Sequence, residues 1–528
     1  MHTATTKHQS SRAAQIYAKH KNKNNQVENN SYIAAIDFGS SNITAAVASK
    51  DPDGRLNIID LVTKPMKGMS FGEVTNIEEV TKAVRSAVDE LENSLDIKIT
   101  EAYAGISGHD IKCANSSYFV YVSGEGNEIR QADVDSLHAS MSNLQPPEGI
   151  SILNRTPQKY VIDSHEETME PVGCFGQQLE ATFNFILGKR SSLDRLNKTF
   201  SRLGIKQSHL FTNAQASAEA VLTDDERELG VAVVDIGADC TDICIWQDNI
   251  MRYVAMLPIG GSSINRDIRS IAIPERFIEK LKTTHGYAMV SSLPEEKRNQ
   301  RIKIKGRTPR ENKEIPFLNL AQIIEARMLD IIENVVEEIR ESGYVDKLGS
   351  GIVLTGGGAL LNDVDALFHE RTKFDVRIGG ANAELLNDQS AAYADDPHLS
   401  SIIGLLLLGA EECHLEATDT PLRRLDAEPE TEPETVHEIK QQQSAVRTPQ
   451  RTATPQRPAE QTKKPVQQHK DESEQDTHES DDEQEKVSGD KVSETSETSK
   501  NPKRKKGFFS GVKKIFTDIF EVVDDDEI

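Results

Sequence analysis

Residues 33–48, IAAIDFGSSNITAAVA, and residues 231–246, VAVVDIGADCTDICIW, share one design. Each opens with an apolar run, reaches an aspartate (Asp37, Asp235), turns at a glycine (Gly39, Gly237) and returns as a second apolar run. That pattern predicts two strand–turn–strand units. Their turn residues, Gly39, Ser40, Ser41 and Asn42 in one and Gly237, Ala238, Asp239 and Thr241 in the other, offer amides and hydroxyls suited to phosphate. A strand-end aspartate suits a hydrated Mg²⁺ beside those phosphates. One such unit is an ordinary hairpin; two, 198 residues apart between Asp37 and Asp235, point to a cleft between pseudo-equivalent halves.

Two further segments fit that cleft. GIVLTGGGALL (351–361) reads as a strand, three glycines (Gly356, Gly357, Gly358) and a helix start, a form that lets backbone approach a flat ligand and favours an anion. IEKLKTTHG (278–286) places Glu279 and Lys282 on one helix face, three residues apart. Elsewhere IEEVTKAVRSAVDELENSL (77–95) and LAQIIEARMLDIIENVVEEIRES (320–342) carry apolar residues at helical spacing, and short apolar strands alternate with them. The fold class is therefore α/β.

Asp-x-Gly hairpin, second Asp-x-Gly hairpin, Glu-x-x-Lys and strand-Gly-Gly-Gly, in this order, resemble the actin-like ATPase superfamily. The resemblance implies an actin-like (ribonuclease H-like) two-domain fold with ATP and Mg²⁺ in the cleft. Asp37 and Asp235 would hold the metal through water, the two turns would face the phosphates, and Glu279, Lys282 and Gly356–Gly358 would surround the adenosine. Residues 112–188, with SSYFVYVSG, SILNRTPQKYVID, LEATFNFILG and a helix near Asp133–Asn143, resemble the small α/β subdomain inserted in the FtsA family of division proteins. LTDDERELGVAVVDIG (222–237) and the run from Leu318 to Ile339 also resemble that family, and the likeness covers Tyr32 to Cys413.

The resemblance implies a protein that polymerises and tethers FtsZ filaments to the inner face of the cytoplasmic membrane at the division site. Implied partners are the FtsZ C-terminal tail, on a subdomain carrying Glu325, Arg327 and Asp330, further copies of the chain, and other division proteins through the insert. Arg327 is expected to pair with a carboxylate of the acidic tail; an ion pair within its own helix is the competing reading. The chain departs from the pattern at Ala238, Asp239 and Cys240, where many relatives have Gly-Gly-Thr. At the position of the superfamily's catalytic Glu or Gln the register gives Ala214, with Gln215 and Glu219 as substitutes. Nucleotide binding is thus better supported than hydrolysis. A small-molecule kinase or a PilM-like pilus-assembly homologue are the alternatives.

The remainder is compositional. The 528 residues hold 61 basic and 85 acidic side chains, net −24, which opposes general nucleic-acid binding. Five scattered cysteines fit a reducing compartment, and residues 1–30 are basic and Asn-rich without the apolar core of a secretory signal. The expected organisation is a disordered arm (1–30), a first domain (31–111 and 189–228), the insert (112–188), and a second domain (229–413) with a smaller subdomain (262–348). Assignment of 390–413 to the first domain stays open. A disordered acidic linker (414–502) follows, with ten acidic residues and one lysine across positions 471–490. Residues 503–528 end the chain. There Phe508, Phe509, Val512, Ile515, Phe516, Ile519, Phe520 and Val523 form one helical stripe beside Lys505, Lys506, Lys513 and Lys514. Such a segment suits an anionic membrane surface, with a groove of this protein or of a partner as the other reading. Each helix binds marginally, and a polymer holds by avidity.

Overall fold

The structure, a computed structural model, describes residues 32–123, 125–304, 312–415 and 423–424. The expected arm, the terminal stripe and nearly all of the expected linker lie outside the described residues.

The first domain is built on a five-stranded sheet ordered Lys206–Thr212, Glu101–Ile106, Ile33–Phe38, Asn42–Lys50, Leu56–Pro65. The central strand Ile33–Phe38 pairs parallel with Glu101–Ile106 and antiparallel with Asn42–Lys50. It is apolar along almost its whole length because the sheet is covered, and only Asp37, near its end, is not fully buried. The helix Ile77–Leu95 lies against this sheet through Val80, Val84, Ala87, Val88 and Leu91. Its limits are set chemically: the Asn76 side chain accepts from the Glu78 and Glu79 amides at 3.0 and 3.2 Å, and Asp96 ends it at φ 56°.

The second domain carries the strands Ile250–Leu257, Thr241–Gln247, Val231–Ile236, Ile352–Thr355 and Val376–Ile378, neighbours in that order. Its smaller subdomain comprises the helices Gly261–Ser270, Glu275–His285 and Phe317–Glu341 with the hairpin Arg301–Ile304/Lys313–Pro316. Ile324, Met328, Ile331 and Val335 anchor the long helix in a core shared with Ile268, Ile278 and Leu281.

The insert is a four-stranded antiparallel sheet ordered Glu166–Thr168, Ile150–Ile162, Gln178–Lys189, Lys112–Tyr121. The helix Gln131–Ser142 covers one face of it, giving a separate core of Val134, Leu137, Tyr160, Leu179, Ala181 and Phe183. Pro157, which has no amide to donate, sits at a register shift of this sheet. A single ladder pair, Lys112 with Ala255, runs this sheet into that of the second domain. Asn184 and Gln158 reinforce the join, donating to the carbonyls of Arg252 and Met251 at 3.0 Å each.

The helix Ser400–Leu415 then returns to the first domain, where Ile402, Ile403, Leu405 and Leu406 enter the core beside Ile33–Phe38. Among the described residues no helix is long and apolar enough to cross a membrane. The return depends on Gly404, whose missing Cβ would lie 1.7 Å from the carbonyl oxygen of Ala216. Gly404→Ala should therefore destabilise the chain by about 1–3 kcal/mol or more, read as a lowered thermal midpoint. An unchanged midpoint would contradict this packing.

Candidate functional site

The two Asp-ended hairpins close with the same offset. Asp37 stands opposite Thr44 in the first and Asp235 opposite Asp242 in the second, seven residues on in each case. Both leading strands end at one cleft of about 590 Å³. The first hairpin contributes Asp37, Gly39, Ser40, Ser41 and Asn42 to the lining, and the second contributes Asp235, Gly237, Ala238, Asp239, Cys240 and Asp242.

Each carboxylate is held by a donor from a distant segment. Asn213, first residue of the helix Asn213–Val221, donates from Nδ2 to Asp37 Oδ1 at 2.9 Å. Ser217 of the same helix and Ser401 of the returning helix both donate to Asp235 Oδ2, the latter at 3.1 Å. Ser107, at the end of a first-domain strand, donates to Asp242 Oδ2 and so joins the two halves. Removal from water is the largest influence on all three acids and raises each. Asp37 reaches about 7 with Asp235 beside it, and Asp242 is pushed well above the usual range with Asp235 and Asp37 nearby. Two buried oxygens in this group, Asn213 Oδ1 and Asp242 Oδ1, have no hydrogen-bond partner among the described residues. The oxygens of Asp37, Asp235 and Asp242 share the cleft without closing into a direct ligand set among the described residues, a lining that fits Mg²⁺ held through water.

The opposite wall carries the expected Glu279 and Lys282, ion-paired at 2.9 Å. Lys282 also donates to the Gly261 carbonyl at 3.2 Å, and Asn265 donates to Glu279 at 2.6 Å. Gly356, Gly357 and Gly358 complete the lining, but their lack of side chains serves internal packing. A Cβ on Gly356 would lie 2.1 Å from Asp235 Oδ1, one on Gly357 2.7 Å from the His398 ring, and one on Gly358 2.3 Å from the Ile236 side chain.

Several sequence expectations are corrected. Thr241 does not face the cleft; its hydroxyl donates to the Ile259 carbonyl at 2.8 Å, because alternation along the strand turns its side chain away from that of Asp242. Ala214 is buried, Glu219 pairs with Arg227 at 3.0 Å, and neither they nor Gln215 line the cleft. The cleft-facing residue of that helix is Asn213, one position earlier. Arg327 is already bound to Asp267 at 2.7 Å on the neighbouring helix and to Asp330 at 2.9 Å on its own. Glu325 accepts from the Val290 amide at 2.6 Å. Membrane-directed residues from Lys505 to Val523 lie outside the described residues. Sequence reasoning missed Asp242, Asn213, Ser107 and His398. Only Asp242 had a legible signal, since antiparallel pairing about the turn places it opposite Asp235.

A short hairpin, Met69–Ser70 with Glu73–Val74, links this cleft to the base of the insert. Its Gly72 amide donates to Ser40 Oγ at 3.3 Å and its Phe71 amide to Asp239 Oδ2 at 3.5 Å. On the other side Glu73 accepts from Ser192 at 3.0 Å and pairs with Arg195, just past the end of the insert. Gly72, at φ 77°, lies against the Ser107 carbonyl, where a Cβ would come within 2.5 Å.

Residues 232–404 match the family model of the cell division protein FtsA, and residues 108–187 match that of the SHS2 domain inserted in FtsA. The cell division protein FtsA of Neisseria meningitidis serogroup B is 32% identical over 379 residues, covering 71% of this chain and 89% of that protein. FtsA of Escherichia coli K12 is 32% identical over 404 residues, covering 75% and 94%. Among solved structures, the PilM-PilN type IV pilus biogenesis complex is similar with a TM-score of 0.50 at 12% identity, covering 72% of this chain and 98% of that one, a likeness of fold alone. With an actin-like body, an SHS2 insert between its halves and nearly full-length relatives at this identity, the chain belongs to the cell division protein FtsA family.

Proposed function

We propose that the chain binds ATP with Mg²⁺ in this cleft, assembles with further copies of itself and tethers FtsZ filaments to the inner face of the cytoplasmic membrane at the division site. Other division proteins would join through the insert. The observation that carries the nucleotide part is the pair of hairpins in matching register, whose three carboxylates Asp37, Asp235 and Asp242 share one desolvated cleft. Mg²⁺ would relieve their repulsion and screen the phosphates, while the amides of residues 39–42 and 237–239 hold phosphate oxygens and Glu279 and Lys282 meet the nucleoside. The proposal extends to binding rather than hydrolysis, because Asn213, the side chain on the expected catalytic helix, is an amide that already serves Asp37.

The membrane part rests on the sequence of residues 503–523, with lysines worth about 1 kcal/mol each near an anionic surface. The FtsZ tail would meet the helix Phe317–Glu341 near Glu325, Arg327 and Asp330, and its carboxylates must displace Asp267 to engage Arg327.

Three outcomes follow for measurement. Asp37→Asn should weaken Mg²⁺-dependent ATP binding about ten- to hundredfold in a calorimetric titration, the loss of one contact to a charged group; equal affinity would remove Asp37 from the site. In the metal-free chain Asp37 keeps its proton to about pH 7, whereas an unfolded aspartate loses it near 3.8. The folded state therefore binds the extra proton between those values, and this contribution to stability is present at low pH and lost as pH rises through about 7. Relative to Asp37→Asn, the metal-free wild type should lose thermal midpoint between pH 6 and pH 8 and regain it with Mg²⁺; parallel midpoints for the two would contradict the assignment. Finally, the full chain should co-sediment with anionic vesicles, more so with ATP–Mg²⁺, and a 1–502 truncation should not. Identical sedimentation of both would end the tether reading.

A further inference from the structure

Five of the ten exposed large apolar side chains among the described residues belong to the insert: Phe119, Tyr121, Met169, Val172 and Phe175. Tyr121 and Phe175 are 72% and 68% exposed, a costly arrangement for aromatic rings. They gather at one end of the sheet. The Val122 amide donates to the Gln177 carbonyl and the Ile129 amide to the Cys174 carbonyl, which brings residues 169–177 beside the end of the strand Lys112–Tyr121. Phe119 and Tyr121 are in edge-to-face contact at 5.6 Å. By alternation they stand on the sheet face opposite that of Ala114 and Ser116, whereas Ala114 belongs to the core under the helix Gln131–Ser142. Beyond Lys112, no strand among the described residues pairs with the edge of Lys112–Tyr121 that faces away from Gln178–Lys189. The surround is acidic: Glu170 is exposed, and Glu180 stands directly opposite Phe119 on the neighbouring strand and so on the same face. Across residues 112–188 there are ten acidic and four basic side chains.

We infer that this aromatic, acid-rimmed face is a docking site for the chain's own C-terminal segment 506–523, and that an anionic membrane competes for that segment. The complementarity is specific in kind. The segment supplies Phe508, Phe509, Phe516 and Phe520 at helical spacing, with Lys506, Lys513 and Lys514 alongside to meet Glu170 and Glu180. Reach is not limiting: 81 residues, 425 to 505, separate the segment from the last described residue, and a flexible chain of that length would span about 50 Å. Tethering replaces a bimolecular encounter by one at high effective concentration, so modest contacts suffice. Docked, the segment hides the same rings that would enter a bilayer, and the apparent affinity for lipid is the intrinsic affinity multiplied by the fraction of chains left undocked.

The docking half of this inference stands without the membrane reading; the competition half rests on it. Hydrogen exchange read by mass spectrometry on the full chain, without lipid, separates the two. Peptides spanning 112–121 and 166–180 should exchange several-fold more slowly in the full chain than in the 1–502 truncation, equally at low and high protein concentration. Phe516→Ser with Phe520→Ser should reproduce the truncation. Equal exchange in full and truncated chains overturns the inference, and protection that grows with concentration overturns it in favour of a second copy as occupant. In a second arm with phosphatidylglycerol vesicles, Tyr121→Ser with Phe175→Ser, both at exposed positions, should tighten binding of the full chain about tenfold. Unchanged binding overturns the competition. Absence of any vesicle binding removes the membrane reading and the competition together, leaving the exchange result to decide the docking.

Discussion

Crowding of negative charge at one point governs the architecture. Asp37, Asp235 and Asp242 are drawn to a single desolvated cleft, where each raises the proton affinity of a neighbour or is raised by one. Such a cluster is unfavourable unless fixed donors hold it, and the chain supplies them from three separate segments: Asn213 and Ser217 from one helix, Ser401 from another, Ser107 from the opposite half. The glycine loop contributes by absence, leaving room for Asp235 Oδ1 beside Gly356. Donors fixed by the fold in this way hold the three carboxylates in a set geometry.

The same constraint ties the halves together at the cleft itself. Ser107 to Asp242 crosses between domains, and the helix Ser400–Leu415 carries the chain back so that Ser401 reaches Asp235 while Ile402, Ile403, Leu405 and Leu406 enter the first core. The hairpin around Gly72 adds a second line of contact, from Ser40 and Asp239 at the cleft to Ser192 and Arg195 at the base of the insert. The hairpin thus gives bonded contact from the cleft to the helix Arg190–Leu203, which follows the insert in sequence, and Asp239 is part of that contact.

Local chemistry made much of this legible in advance. The helix 77–95 was readable to the residue because Asn76 and Asp96 cap an apolar stripe of helical period. The strands of both hairpins were readable because Gly and Asp bound short apolar runs. Arg327 shows the opposite case: its charge and helix position were plain, but its commitment to Asp267 depends on another helix that folds against it. The register that put Ala214 at the cleft was one residue late for a similar reason: Ala214 is buried in the core and Asn213 is the residue that bonds Asp37.

What the sequence alone determined was the element order and the two Asp-x-Gly turns, which follow from periodicity and turn chemistry within about twenty residues, while the insert was legible only through its resemblance to a family. The tertiary structure decided which side chains face the cleft. Thr241 and Asp242 are neighbours in sequence, yet one bonds Ile259 and the other Ser107, because strand alternation sends them to opposite faces and only packing says which face is the cleft. It also decided that Asp242 joins Asp37 and Asp235 and that Tyr121 and Phe175 share one end of the insert. Those juxtapositions depend on contacts between segments far apart in the chain, and no local pattern encodes them.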